Sequence, residues 1–112
     1  MSKYMQIAVS VKPYYQQEFQ DAYPKLARHL GYLDRELVQQ NPTLYHLAGR
    51  LDELLLKYDS TPLREVLLTQ RETLLQLHRD IEKNIADWNL AQADKLLYKL
   101  EDVFDDLEAR LN

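Results

Sequence analysis

Residues 90–111 read LAQADKLLYKLEDVFDDLEARL, and their apolar side chains recur at alternating steps of three and four. Positions three and four apart lie on one face of an α-helix, so this spacing predicts a single amphipathic helix. A continuous apolar stripe of this kind needs partner helices to cover it, and we expect the rest of the chain to provide them. The stripe consists of Leu90, Ala93, Leu97, Leu100, Phe104, Leu107 and Leu111.

The composition also favours helices over strands. Two glycines and four prolines in 112 residues are too few turn residues for a protein made of many short strands. A hydrophobic content of 46% with 29% charged residues is typical of a folded chain, and the length suits one domain. We therefore predict a single all-α domain over residues 1–112.

Prolines and N-cap residues mark where the main helices begin. Pro24, Pro42 and Pro62 can each occupy the first turn of a helix, where the missing N–H is not needed. Asn41 and Thr61 precede two of these prolines and are suitable N-caps. Together with the apolar spacing, these signals predict three helices, over residues 24–40, 42–58 and 62–85.

A change of phase near Trp88 separates the third main helix from the fourth. Continuing the third helix through Trp88 would bury Lys95 and Asp102, whereas a new helix starting there keeps the apolar stripe intact. Asp87 is a suitable N-cap for this new helix. We predict a tight turn and a fourth helix over 88–111, which completes an up-down antiparallel four-helix bundle.

The first 23 residues are predicted to form an arm and a short helix. Ile7, Val9 and Val11 are spaced two apart, as in a strand, but a strand, a helix and a mobile arm all remain open for residues 1–12. Aromatic side chains then recur four apart after Pro13. This spacing predicts a short aromatic helix over residues 13–23.

Two polar residues interrupt the apolar face of the third helix. Gln70 and Asn84 occupy positions where the spacing otherwise places leucine or isoleucine. A buried amide without a hydrogen-bond partner costs about 1 to 3 kcal/mol. We therefore expect each of them to face water, a partner side chain or another subunit.

The chain lacks the sequence patterns of several enzyme classes. Its two glycines, Gly31 and Gly49, are too far apart to form a phosphate-binding loop, and there is no cysteine for a nucleophile or a thiolate metal site. The three histidines, His29, His46 and His78, fall on three different predicted helices and do not match metal-binding motifs. We predict no catalytic residue, no metal, no cofactor and no enzymatic activity.

Charge and hydropathy indicate a soluble protein of the cytoplasm. A net charge of −4 gives no general basic field for DNA or an anionic membrane. The first residues lack the apolar core of a signal peptide, and no apolar run approaches the roughly 18 to 20 residues of a membrane span. We predict a cytoplasmic protein without a membrane partner.

Two short stretches resemble parts of known helical families. Residues 86–91 resemble the turn between the helices of a tetratricopeptide repeat, but they occur once and a solenoid needs several copies. Residues 45–49 resemble a histidine phosphotransfer helix, with His46 as the phosphorylated residue. Gly49 and Arg50 stand where that family has lysine and glycine.

Two groups of side chains are the predicted contact residues for a partner. An aromatic group near the N-terminus would be covered by the bundle, a second copy or another protein, and we expect a homodimer through it. An acidic group recurs every seven residues along the last helix, on one stripe. The two groups are Tyr4, Tyr14, Tyr15, Phe19 and Tyr23, and Asp94, Glu101 and Glu108.

These patterns favour a non-enzymatic, small helical protein-binding module, such as a chaperone, an adaptor or an inhibitor of a larger protein. The alternative is a regulator associated with nucleic-acid machinery, because Lys25, Arg28 and Arg35 share one side of a predicted helix, although three charges make only a weak phosphate contact. A histidine phosphotransfer-type signalling bundle is a further, lesser alternative.

Overall fold

The computed structural model describes residues 18–112, and within this range every regular element is a helix. The predicted all-α class is therefore confirmed for these residues, while the predicted arm over 1–12 and the start of the short helix over 13–23 lie outside them. The helices are α1 (Phe19–Ala22), α2 (Pro24–Gly31), α3 (Arg35–Gln39), α4 (Leu44–Gly49), α5 (Leu51–Lys57), α6 (Pro62–Thr69), α7 (Arg71–Ala86) and α8 (Leu90–Arg110).

The helix predicted over 24–40 is divided into α2 and α3. Asp34 begins α3 as its N-cap, and its side chain accepts a hydrogen bond of 3.1 Å from the backbone N–H of Leu37. The other carboxylate oxygen of Asp34 pairs with Lys57 at 2.9 Å. Leu33, predicted to face the core, lies in the turn and is exposed.

The helix predicted over 42–58 begins two residues later and is interrupted at Arg50. Its N-cap is Thr43, whose hydroxyl accepts a hydrogen bond of 2.9 Å from the N–H of His46. Asn41, the predicted cap, instead has a left-handed backbone with φ of 53°. Its side chain accepts a 2.6 Å hydrogen bond from the N–H of Phe19 and so caps α1.

The helix predicted over 62–85 begins as expected but bends at Gln70. Thr61 is the N-cap, accepting a hydrogen bond of 3.3 Å from the N–H of Arg64. At the bend, the side-chain amide of Gln70 donates to Asp106 at 3.1 Å. Asn84 donates to the backbone oxygen of Asp80 at 2.7 Å, so both polar positions have partners within the chain.

The most extensive helix pair is the antiparallel hairpin of α7 and α8. The last helix begins at Leu90, two residues after the predicted start, and Leu90 itself is exposed. Most of the predicted stripe is buried, although Leu96 is more deeply buried than Leu97. The central part of α8 therefore forms the middle of the core, as its spacing predicts.

The other helices pack around this hairpin. Helices α2, α4 and α6 each contact α8, and α4 also contacts α7. The described part of the molecule measures 48 × 26 × 25 Å. None of its helices combines the length and hydropathy needed to cross a membrane.

Candidate functional site

An open groove lies between α4 and α7, with a volume of about 690 Å³. The segment that connects α3 to α4 closes one end, and the second half of α7 forms the opposite wall. We call this feature the α4–α7 groove. Its lining residues are Gln40, Asn41, Pro42, Thr43, Tyr45, His46, Gly49, Arg50, His78, Glu82 and Ile85.

A stacked pair of rings joins the two walls of the groove. The ring centroids of Tyr45 on α4 and His78 on α7 are 4.5 Å apart, and the ring planes differ by 20°. Gly49 makes room for the imidazole, because a Cβ atom at this position would lie 2.7 Å from Nε2 of His78. The position of the His78 ring against α4 therefore depends on a glycine at position 49.

The groove carries charges of both signs. Burial, together with the nearby carboxylate of Glu82, raises the pKa of the Tyr45 hydroxyl above its ordinary value. Tyr45 therefore stays neutral across the physiological pH range. On the other side, His46 is exposed, and Arg50 donates through Nε to Glu53 at 3.0 Å. The groove can accept a hydrogen-bond donor at Glu82 and an acidic group at Arg50.

The turn between α7 and α8 presents a tryptophan in a conformation that usually requires glycine. Trp88 has φ of 58° and is 49% exposed. Its N–H donates to Ile85 at 3.0 Å, and the N–H of Asn89 donates to Asn84 at 2.8 Å. These two bonds form a Schellman motif, in which glycine is the usual residue at the position of Trp88.

The surface around Trp88 is open to solvent. All residues from Ala86 to Gln92 are exposed, and Leu90 is 44% exposed. The predicted cap Asp87 belongs to the turn itself, and Asn89 precedes α8 without a side-chain cap. The end of the hairpin thus places Trp88 and Leu90 beside one acidic side chain, Asp87.

The predicted aromatic contact residues divide into two groups. Tyr4, Tyr14 and Tyr15 lie outside the described residues and remain predictions. Phe19 and Tyr23 are buried in the core of their own chain, with ring centroids 5.8 Å apart. Neither of these two side chains offers a surface to a partner, which corrects the prediction for them.

The predicted acidic stripe on α8 also divides. The carboxylate of Glu108 accepts hydrogen bonds from the N–H groups of Lys25 and Leu26, at 2.7 and 2.8 Å, and so caps α2. Burial raises the pKa of Glu101, and the neighbouring carboxylates, including Asp94, raise it further. Glu108 therefore has a structural role, because it links α8 to the start of α2. Asp94 and Glu101 remain predicted contact residues.

The structure separates the basic residues that suggested a nucleic-acid partner. Lys25 and Arg28 lie on α2, whereas Arg35 begins α3. The guanidinium of Arg28 donates a hydrogen bond to the backbone oxygen of Asn112. The spacing predicts that the three side chains form a stripe along a single helix. They do not, because they belong to two helices.

Two of the three histidines meet at one site. His46 and His78 both line the α4–α7 groove, while His29 lies 3.2 Å from the backbone oxygen of Asn112. Within residues 18–112, no three histidine or acidic side chains are grouped so that they could hold a metal ion.

The spacing of the sequence does not predict the pairing of Tyr45 with His78 or the left-handed Trp88. One available signal is Gly49, because a glycine inside a helical pattern often marks a close approach of another element. Comparisons of the chain with protein-family models, with curated proteins and with solved structures found no match.

Proposed function

We propose that this chain is a non-enzymatic protein-binding module of the cytoplasm, acting as a chaperone, an adaptor or an inhibitor of a protein partner. Trp88 is its main contact residue. In this proposal α2–α3, α4–α5, α6–α7 and α8 are the four rods of an up-down antiparallel bundle. The bundle is a single domain that presents the α7–α8 turn.

The observation that carries the proposal is the exposed, left-handed Trp88. A left-handed backbone costs a non-glycine residue roughly 1 to 2 kcal/mol. The side chain is 49% exposed, so its own fold recovers only part of the available burial energy. Covering the rest of the indole would contribute roughly 3 kcal/mol, which exceeds that cost. Strained backbone and exposed tryptophan together are typical of a binding contact.

Affinity capture with matched variants tests this proposal. The full-length wild type, Trp88→Gly and Tyr32→Gly serve as baits in an extract of the native cell. Tyr32 is a suitable control because it is an exposed aromatic residue in a turn after a helix, with an ordinary φ of −59°. We expect wild type and Tyr32→Gly to retain the same proteins, and Trp88→Gly to lose them.

Stability measurements on the same variants exclude misfolding as the cause. Glycine relieves the left-handed strain at position 88 but also removes the buried half of the indole, so Trp88→Gly should be only about 1 to 2 kcal/mol less stable than the wild type and should keep its helical circular dichroism. Tyr32→Gly should be slightly less stable, because glycine gains no relief there and loses more backbone entropy on folding. Retention of the same proteins by all three baits would contradict the proposed function.

A further inference from the structure

The exposed tryptophan and the α4–α7 groove lie at the same end of the hairpin. Ile85 lines the groove, and its backbone oxygen accepts the hydrogen bond from the N–H of Trp88. The two residues are three positions apart in the chain, and the hydrogen bond between their backbones measures 3.0 Å. The exposed tryptophan therefore lies next to a residue that lines the groove.

A surface that carries both a contact side chain and a site to receive it can bind a second copy of itself. A twofold rotation brings the projection of each copy to the groove of the other, so that two identical contacts form at once. Contacts of this kind close into a dimer and leave neither groove vacant. A different protein that bound to the same surface would not form two identical contacts.

The chemistry of the groove matches the chemistry of the turn. Its volume of about 690 Å³ lies within the usual range of ligand-binding clefts. Pro42, Tyr45 and Ile85 supply apolar contacts, and the carboxylate of Glu82 can accept the hydrogen bond that an indole N–H must donate.

One pair of charges beside the two features is also complementary. Asp87 precedes Trp88 in the turn, while Arg50 and His46 lie at the groove. When Trp88 of one copy enters the groove of another, Asp87 follows it towards the guanidinium of Arg50, which pairs with Glu53 through Nε. Complementary charges of this kind fix the orientation of a contact and speed its formation.

We propose that the partner of Trp88 is a second copy of this chain, with Trp88 of each copy seated in the α4–α7 groove of the other. This inference rests on the proposed function and names its partner. It also moves the predicted homodimer contact from the N-terminal aromatic residues to the α7–α8 turn.

The fluorescence of Trp88 reports the contact directly, because the chain has a single tryptophan. As the concentration of the full-length protein rises, dimers should form in light scattering, and the emission should shift to shorter wavelength as the indole leaves water. Trp88→Gly should raise the dimer dissociation constant about 100-fold or more, because each dimer loses two aromatic contacts. Tyr32→Gly should leave the constant unchanged.

Mixing two defective variants tests the exchange between copies. Trp88→Gly keeps the groove but lacks the tryptophan, while His46→Glu keeps the tryptophan and places a negative charge where Asp87 of the other copy arrives. His46 is exposed, so its replacement should not disturb the fold. Each variant alone should dimerise poorly, and the mixture should restore one contact. Adding Trp88→Gly should therefore shift the emission of His46→Glu to shorter wavelength.

Two results would overturn the second-copy inference. One is a wild type that stays monomeric into the millimolar range with unchanged emission, and the other is a dimer that Trp88→Gly leaves intact. Affinity capture separates this failure from failure of the proposed function, because loss of captured proteins by Trp88→Gly would still support binding to a different protein.

Discussion

Gly49 leaves the space in which the ring of His78 lies between the two walls of the groove. The Nε2 edge of the His78 ring lies against this glycine, and the face of the ring stacks on Tyr45. A methyl group at position 49 would lie 2.7 Å from Nε2 of His78, closer than Cβ atoms normally approach other atoms. The imidazole would then have to move away from Tyr45, or α4 from α7.

We predict that Gly49→Ala lowers the free energy of unfolding by about 1 kcal/mol or more, because the overpacking outweighs the better helix propensity of alanine. Gly31→Ala is the matched control, since its nearest neighbour, Cγ2 of Val38, is 3.8 Å from the added Cβ. It should be neutral or slightly stabilising. Urea unfolding of both variants measures the difference, and equal stability of the two would contradict the packing argument.

Helix α8 organises the other elements through its core-facing residues and its carboxylates. Leu100 lies at its centre and is fully buried. On the side that faces α2, Asp105 accepts a 3.0 Å hydrogen bond from the hydroxyl of Tyr23, and Glu108 caps α2. The helix therefore supplies both the apolar centre of the core and polar contacts at its edge.

Leu100→Ala should lower the free energy of unfolding by about 2 to 5 kcal/mol, since it removes buried methyl groups and leaves a cavity. Leu56→Ala is the control, because Leu56 is 81% exposed and its truncation should change stability by no more than about 0.5 kcal/mol. Thermal unfolding followed by circular dichroism provides the measurement. An unchanged melting temperature in Leu100→Ala would show that α8 does not organise the core.

The apolar spacing predicts which residues of the long helices face the core, because period alone determines the faces of a helix. It does not predict the bends, which depend on contacts between distant parts of the chain. Asp34 pairs with Lys57, and Gln70 with Asp106, across different helices. The spacing does not predict the groove for the same reason. It does not predict the left-handed backbone of Trp88 because a bulky residue is not expected in a position that favours glycine.

At the scale of the whole molecule, Tyr58 and Asp34 link stability to pH. Burial raises the pKa of the Tyr58 hydroxyl to about 12 from its ordinary value of 10.0, and the charge of Asp34 adds to the effect. The Tyr58 hydroxyl donates a hydrogen bond to the backbone oxygen of Leu30. In contrast, the hydrogen bond from Lys57 holds the pKa of Asp34 below its ordinary value.

We predict that the protein loses stability as the pH rises from about 10 to about 12. The unfolded chain releases the Tyr58 proton near pH 10, while the folded protein holds it until about pH 12, so the unfolded state binds fewer protons in this window. Tyr58→Phe should be less stable than the wild type at neutral pH, by about 0.5 to 1.5 kcal/mol for the lost hydrogen bond. Above pH 10 its free energy of unfolding should depend less steeply on pH than that of the wild type. Urea unfolding across the pH range checks this, and parallel curves would contradict it.

The stabilising contribution of Asp34 has the opposite pH dependence. Because its folded pKa is lowered, the contribution is present above the unfolded value of 3.8 and is lost as the pH falls through the folded pKa. Asp34→Asn should therefore be less stable than the wild type at neutral pH, and the two free energies of unfolding should converge in acid. The same urea series measures this convergence.

The hydrogen bonds between α8 and α2 also set the order in which the chain can fold during synthesis. The N–H groups of Lys25 and Leu26 find their acceptor 83 and 82 positions later in the chain, at Glu108. A ribosome that has not yet added Glu108 therefore carries an α2 without its cap and with Leu26 uncovered by α8. Contacts this distant form slowly and leave apolar surface exposed in the meantime. The cap and the cover of α2 can therefore form only after translation has passed α8.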